Sequence, residues 1–366
     1  MSERVIVAMS GGVDSSVAAH LLKEAGYDVI GVTIKTWSKD ECRDERSKGC
    51  CSIRDIDDAR AVARKLDIPY YVMDLSPDFK EKVIDYFVDE YLAGRTPNPC
   101  IECNRTIKFG VLLEKARELG ASYVATGHYA RRGYDEASGR YFVREGADLS
   151  KDQSYVLFGL TQEQLSKTLL PVGDLEKTRV RAIAETLGLR VFDKPDSQEI
   201  CFVKDKYINF VKGFAPSRMP GEGDLLDGRG VIVGRHDGSH EYTVGQRKRI
   251  RVTDETPYFV TAIDAKANTV TIGKVEELFT DSMSVNRVNW MLPAAERPIE
   301  VKIRSRHGKS PARVVSVAGD TVEIRFDESQ RAVTPGQAAV FYDGDRVIGG
   351  GWIHHAYNER ADVAQW

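Results

Sequence analysis

The spacing of hydrophobic and polar residues changes character once along this chain. Up to about residue 125, short apolar runs alternate with stretches whose apolar positions recur at helical spacing. Residues 4–10 form a β-branched run ending in Ser-Gly-Gly, and residues 14–25 then carry Val17, Ala18, Leu21 and Leu22 on one helical face. Residues 29–34, 70–73 and 123–125 read as further strands, and residues 56–66, 79–92 and 104–119 as further helices. Strands alternating with helices predict an α/β fold with a doubly wound, mainly parallel sheet.

Beyond about residue 205 the pattern shortens. Pro216, Pro220, Gly221 and Gly223 punctuate a linker, and the turn signals Asp227-Gly228, Asp237-Gly238, Ala318-Gly319-Asp320 and Asp343-Gly344 separate short β-rich runs. Two small β-rich modules are expected to follow the α/β domain, giving three units: residues 1–205, 206–280 and 281–366. The length of 366 residues fits two or three domains of about 150 residues each.

The composition, 42% hydrophobic and 29% charged, excludes a disordered or collagen-like chain. No apolar run approaches the roughly 20 residues that cross a bilayer, and Met1–Arg4 leads into the first strand without a signal-peptide layout. A cytoplasmic protein with no membrane partner is expected. The net charge of −3 announces no global affinity for nucleic acid. Two windows are nonetheless basic and free of acids. Residues 242–253 hold Arg247, Lys248, Arg249 and Arg251; residues 301–313 hold Lys302, Arg304, Arg306, Lys309 and Arg313. By themselves they are equally solvated strand faces.

All six cysteines (Cys42, Cys50, Cys51, Cys100, Cys103 and Cys201) lie in the first 201 residues, too few for a disulfide scaffold. Sulfur chemistry, if any, belongs to the N-terminal half. Cys42, Cys50 and Cys51 sit in a charged loop and receive no role. Cys103 lies close to the start of the expected helix 104–119, a placement that favours the thiolate. Cys201 stands alone in the polar segment Asp196-Ser197-Gln198-Glu199-Ile200-Cys201.

The sharpest motif is Ser10-Gly11-Gly12-Val13-Asp14-Ser15-Ser16, between the first strand and the first helix. Glycines let the backbone turn and approach phosphate oxygens, and the amides of a helix start cradle anions. The P-loop lysine is absent, as is the dinucleotide G-x-G-x-x-G spacing. The segment resembles the pyrophosphatase loop of the ATP pyrophosphatase superfamily, which activates an oxygen by adenylation. Together with Asn98-Pro99-Cys100-Ile101-Glu102-Cys103, Gly127-His128-Tyr129, Lys151-Asp152-Gln153, Asp196–Cys201, Pro335-Gly336-Gln337 and residues 340–344, it resembles the bacterial tRNA-specific 2-thiouridylase family over residues 4–351.

That resemblance implies an adenine nucleotide alpha hydrolase-like sheet and a set of roles. ATP would be held by Ala8, Met9, Ser10, Gly11, Gly12, Val13, Asp14 and Ser15, with Ile34 and Gly127 near adenine and ribose. Magnesium is expected with the triphosphate, and no separate metal site. Asp14, Cys103 and Cys201 would be catalytic, with a persulfide on Cys201 received from a cysteine desulfurase or sulfur-relay carrier. Asn98, Pro99, Cys100, His128, Lys151, Asp152 and Gln153 would surround the wobble uridine of an unmodified tRNA. Arg304, Ser305 and Gln337 would touch tRNA from the last module. Two positions depart from the family: Cys100 stands where aspartate is frequent, and Ser305 where tyrosine is expected. Other readings are an iron–sulfur cluster on Cys100, Cys103 and Cys201, an amide-forming synthetase of the same superfamily, and an ATP-gated RNA-binding module.

Overall fold

The first run of residues, Val5-Ile6-Val7, is buried on both faces, and this decides where it goes: the centre of a sheet covered by helices. Strands β1 (Arg4–Ala8), β2 (Asp28–Lys35), β3 (Tyr70–Asp74) and β4 (Tyr123–Ala125) follow the expected alternation with helices. After β4 the chain leaves the sheet in an antiparallel hairpin, β5 (Ala130–Asp135) and β6 (Arg140–Glu145), then returns as β7 (Thr168–Leu169). The sheet order is β3-β2-β1-β4-β7, and every neighbouring pair is parallel. Ile6 joins a core on one face, and Val5 and Val7 one on the other. In the computed structural model the described residues are 2–36, 53–196, 200–203, 205–293 and 298–358, so Cys42, Cys50, Cys51, Ser197, Gln198 and Glu199 lie outside them.

Two helices differ from the sequence expectation. The helix expected over 79–92 starts at Ser76 and passes through a π-type stretch, Lys80–Asp85. The helix expected over 104–119 starts at Pro99, where the fixed proline φ favours a first turn, and is π-type from Cys103 to Val111. Such short widened stretches, six and nine residues, shift the apolar period too little for periodicity to reveal them.

The second module is a four-stranded sheet of β8 (Gly223–Leu226), β9 (Ile232–His236), β10 (Phe259–Asp264) and β11 (Thr269–Gly273), around Leu225, Tyr242, Val260, Val270 and Ile272. The third comprises β12 (Phe279–Trp290), β13 (Ile299–Lys302), β14 (Ser310–Ala318), β15 (Thr321–Arg331), β16 (Ala338–Asp343) and β17 (Arg346–Tyr357). The order β12-β15-β14-β13-β16-β17 closes through β12–β17 pairing, forming a barrel. The fold class is therefore as expected: a parallel α/β sheet followed by β-rich modules.

One connection could not be read from the sequence. β17 pairs antiparallel with β6, placing Val347 opposite Val143 and Arg346 opposite Arg144. The hairpin of the α/β domain thus extends the barrel's sheet. Arg140 fastens it further, donating to the carbonyls of Met291 and Trp290 at 2.7 Å each. Phe158, fully buried, stands edge-on to Trp352 of β17 with ring centres 5.3 Å apart. Among the described residues, no helix is long and apolar enough to cross a membrane.

Phe158→Ala removes a ring from a core shared by two modules, and should destabilise the chain by about 3–5 kcal/mol. Urea denaturation followed by tryptophan fluorescence measures this; a loss below about 1 kcal/mol contradicts a common core.

Candidate functional site

β1 lies between β2 and β4, so the chain's winding direction reverses across the β1–β4 crevice. Open α/β sheets bind ligands outside the carboxyl ends of strands at such a switch point. Ser10–Ser15 follows β1 there, and Gly127 follows β4. Gly12 is the extended residue before the helix Val13–Glu24, and no side chain caps that helix start. Gly11 has φ +73°, and a Cβ on it would lie 2.3 Å from the Asp55 carbonyl oxygen. The hydroxyls of Ser15 and Ser16 donate to the Gly12 carbonyl at 3.3 and 2.7 Å, and Ser15 Oγ also accepts from the Ser10 amide at 3.2 Å. A Cβ on Gly127 would lie 2.6 Å from the Ser15 amide nitrogen. The second strand end is thereby pressed against the loop. Met9 is buried beneath it, and its carbonyl accepts from Thr33 Oγ1 at 2.7 Å, while Ile34 lies partly buried near the end of β2.

A set of charges surrounds this loop. Lys177 Nζ lies 2.7 and 2.8 Å from the two Asp14 carboxylate oxygens and 2.7 Å from Asp196 Oδ1. Tyr129 donates its hydroxyl to Asp14 Oδ1 at 2.7 Å; burial, then the Asp14 charge, drives that phenol's pKa far up. Asp196 also meets Lys151 at 2.8 Å and Arg181 at 3.5 Å. Burial alone would raise the Asp196 pKa, but hydrogen bonds from Lys151 and Lys177 outweigh it and hold the carboxyl below its ordinary value. Lys194 donates to the Gly11 carbonyl at 2.9 Å and pairs with Asp55 and Asp58 at 2.6 and 2.8 Å. Tyr129, Lys177, Lys194 and Asp196 were not among the expected site residues. One signal was legible: Lys177 opens the helix Lys177–Thr186, where the helix dipole disfavours a cation.

Cys103 and Cys201, far apart in sequence, pack against one hydrophobic cluster containing Phe79, Phe87 and Phe202. Both are partly buried, whereas Cys100 is exposed. Because the helix starts at Pro99, Cys100 occupies its first turn and donates its amide to Asn98 Oδ1 at 3.1 Å. Cys103 lies one turn further in, where the π-type stretch begins, and not at the helix start. Among the described residues, no group of three or more His, Cys, Asp or Glu side chains is placed to hold a metal ion. Cys100, Cys103 and Cys201 therefore present no cluster-binding set.

The other expected contacts divide by what their side chains already do. Gln153 is exposed, and its Oε1 accepts from the Tyr129 amide at 3.0 Å. Asp152 is turned inward, accepting from the Gly146 and Ser154 amides at 3.1 and 3.0 Å, with Lys302 of the barrel 3.5 Å away. His128 is buried, with Nδ1 2.7 Å from Thr126 Oγ1; burial, then Lys108, lowers its pKa well below the ordinary value. Thr96, Thr243, Gly245, Gln246, Arg304 and Gln337 line a cavity of about 360 Å³ where the three modules meet. Arg304 donates there to the Ala332 carbonyl at 2.7 Å, and Gln337 to that of Thr96 at 2.7 Å. Much of both basic windows is engaged internally: Lys309 pairs with Glu145 at 3.0 Å, Arg251 with Asp237 at 2.7 Å, and Arg249 with Glu241. Arg247, Lys248 and Ser305 are exposed.

Three family models match in succession: a tRNA methyl transferase HUP domain over residues 3–205, a tRNA methyl transferase PRC-barrel domain over 208–274, and an aminomethyltransferase beta-barrel domain over 280–353. The chain is 50% identical to the tRNA-specific 2-thiouridylase MnmA of Geotalea uraniireducens (strain Rf4), over 99% of this chain and 98% of that one. It is 52% identical to the protein of that name from Clostridioides difficile (strain 630), over 96% and 98% of the two chains. The chain belongs to the tRNA-specific 2-thiouridylase family. Among solved structures, a 4-thiouridine synthetase–RNA complex with bound ATP is 18% identical with TM-score 0.38, covering 59% of this chain and 51% of that one. NMN synthetase from Francisella tularensis is 16% identical with TM-score 0.34, covering 59% and 77%.

Within this 2-thiouridylase-family chain, two substitutions test the local geometry. Gly127→Ala drives a methyl group into the Ser15 amide and should weaken ATP-analogue binding by at least about 100-fold, two steps of 1.4 kcal/mol each, as titration calorimetry would report. His128 contributes to acid lability. Protonation of the unfolded chain near the ordinary value of about 6.5 is not matched in the folded one. Stability is therefore full above that pH and is lost as pH falls towards the depressed folded value. His128→Asn should flatten the decline in denaturation midpoint below about pH 6.5; an unchanged slope would contradict a neutral buried imidazole.

Proposed function

We propose that this chain is an ATP-dependent tRNA-uridine 2-sulfurtransferase, acting on the wobble uridine of unmodified tRNA. The observation that carries this reading is the pairing of two features: a glycine loop pinned at the switch point, and Cys103 with Cys201 gathered on one hydrophobic cluster. Residues 1–205 do the chemistry, and residues 206–280 and 281–366 complete the tRNA surface.

The C2 oxygen of uridine is a poor leaving group; its attack on the α-phosphate of ATP breaks the α–β phosphate bond, expels pyrophosphate and leaves C2 carrying an adenylate that can depart as AMP. The amides at the start of the helix Val13–Glu24, with Ser10 and Ser15, receive the phosphates. Lys177, beside Asp14, adds positive charge without entering from solvent. Magnesium, when bound, would neutralise phosphate charge; Asp14, which Lys177 and Tyr129 hold in this structure, would supply it a hard oxygen ligand.

Sulfur arrives as a persulfide on Cys201, loaded by a cysteine desulfurase or relay carrier. In one route the Cys103 thiolate attacks the Cys201 sulfur, forming a Cys103–Cys201 disulfide and expelling hydrosulfide, which displaces AMP at C2. In the other the terminal sulfur attacks C2 directly and displaces AMP, and the Cys103 thiolate then attacks the Cys201 sulfur, breaking the S–S bond and leaving sulfur on the base and the same disulfide. Both routes consume one ATP and two thiol electrons, and an external dithiol reopens the disulfide. Partial burial of both cysteines limits loss of hydrosulfide to water.

Cys201→Ser should bind ATP and tRNA but transfer no sulfur, and Cys103→Ser should load sulfur without turning over. After incubation with a desulfurase and cysteine, a mass increase of about 32 Da, one sulfur atom, should map to Cys201 by peptide mass spectrometry. An adduct confined to other cysteines, or thiolation by Cys201→Ser, overturns these roles. Asp14→Ala should abolish AMP formation with tRNA retained; substantial pyrophosphate release would remove the loop from the mechanism.

A further inference from the structure

Lys177 joins two segments that the proposed chemistry uses at different moments. Its ammonium group, with the side chain only 9% exposed, is shared between Asp14 in the glycine loop and Asp196, five positions before Cys201. Asp196 in turn gathers Lys151 at 2.8 Å and Arg181 at 3.5 Å. Around a buried cation, each anion's hold depends on the others, because weak screening makes every charge count.

Phosphates entering the loop bring more negative charge to Lys177 than Asp14 alone supplies, and they compete with Asp196 for it. Asp196 then keeps Lys151 and Arg181 but loses its most buried partner. We propose that Asp196 is a positioning residue that couples nucleotide occupancy of the Ser10–Ser15 loop to the presentation of Cys201. The coupling rests on the readings of that loop as the ATP site and of Cys201 as the sulfur carrier. It lets Cys201 respond to ATP before any base is activated. By linkage it works in both directions, so a change in the Cys201 segment's equilibrium position alters nucleotide affinity in turn.

The test follows iodoacetamide labelling of Cys201 in the full chain by peptide mass spectrometry, with and without a non-hydrolysable ATP analogue. In the unsubstituted protein the analogue should change the Cys201 rate by at least about fivefold, the lower end of ordinary couplings. Asp196→Asn, which keeps the shape and removes the charge, should reduce that change to less than about twofold while the analogue still binds. Asp196→Glu should restore part of it, which separates lost charge from lost fold. The coupling is overturned if the unsubstituted protein binds the analogue with no change at Cys201, or if Asp196→Asn retains the full effect. Failure of the unsubstituted protein to bind the analogue at all overturns the nucleotide reading itself, and the coupling with it.

Discussion

The pairing of β6 with β17 is the constraint from which the site's geometry follows. A parallel sheet with a loop at its switch point is a general nucleotide scaffold. Here the hairpin that follows Gly127-His128-Tyr129 is built into the sheet of another module, and the chain then returns through Lys151-Asp152-Gln153. Asp345, at the β16–β17 turn, holds Arg144 of that hairpin at 2.7 Å and Arg131 at 3.1 Å. Main-chain pairing and buried contacts such as Phe158 on Trp352 set one module's position relative to the other far more firmly than exposed ion pairs could. The barrel is thus part of the frame that holds the glycine loop's neighbours.

Electrostatics on this frame are arranged in compact groups. Lys177 and Lys194 are surrounded by partners from distant parts of the chain, and Asp152 by the nearby Gly146 and Ser154 amides; each replaces lost hydration with several short contacts. Such groups narrow the positions open to their segments. Removing one partner leaves the others under-neutralised, so the groups transmit changes in charge as well as holding shape.

The helix carrying Cys100 and Cys103 has an irregular backbone where the proposed sulfur chemistry would take place. Asn98 and Pro99 start it cleanly, yet from Cys103 onward it widens into a π-type turn, next to another in Lys80–Asp85. Widened turns recur at functional positions because they redirect one side chain without ending the helix. Here they face the cluster that Cys201 also reaches.

The sequence by itself determined the alternation of strands and helices, the strand Tyr123–Ala125 to the residue, the glycine loop and the cysteines as the sulfur-bearing candidates. Those are properties of local spacing: apolar period, β-branched runs and glycine turns act within a few residues. It could not place Lys177 on Asp14, bring Lys302 to Asp152, or bring Cys103 and Cys201 to one cluster, because each depends on segments many residues apart. The closure of β12 on β17 and the annexation of the hairpin were equally out of reach, since any strand edge offers the same backbone donors and acceptors. Only packing chooses among edges, through which side chains can be buried together. The tertiary structure decided the partners, and the partners decided which charged groups remain available for chemistry.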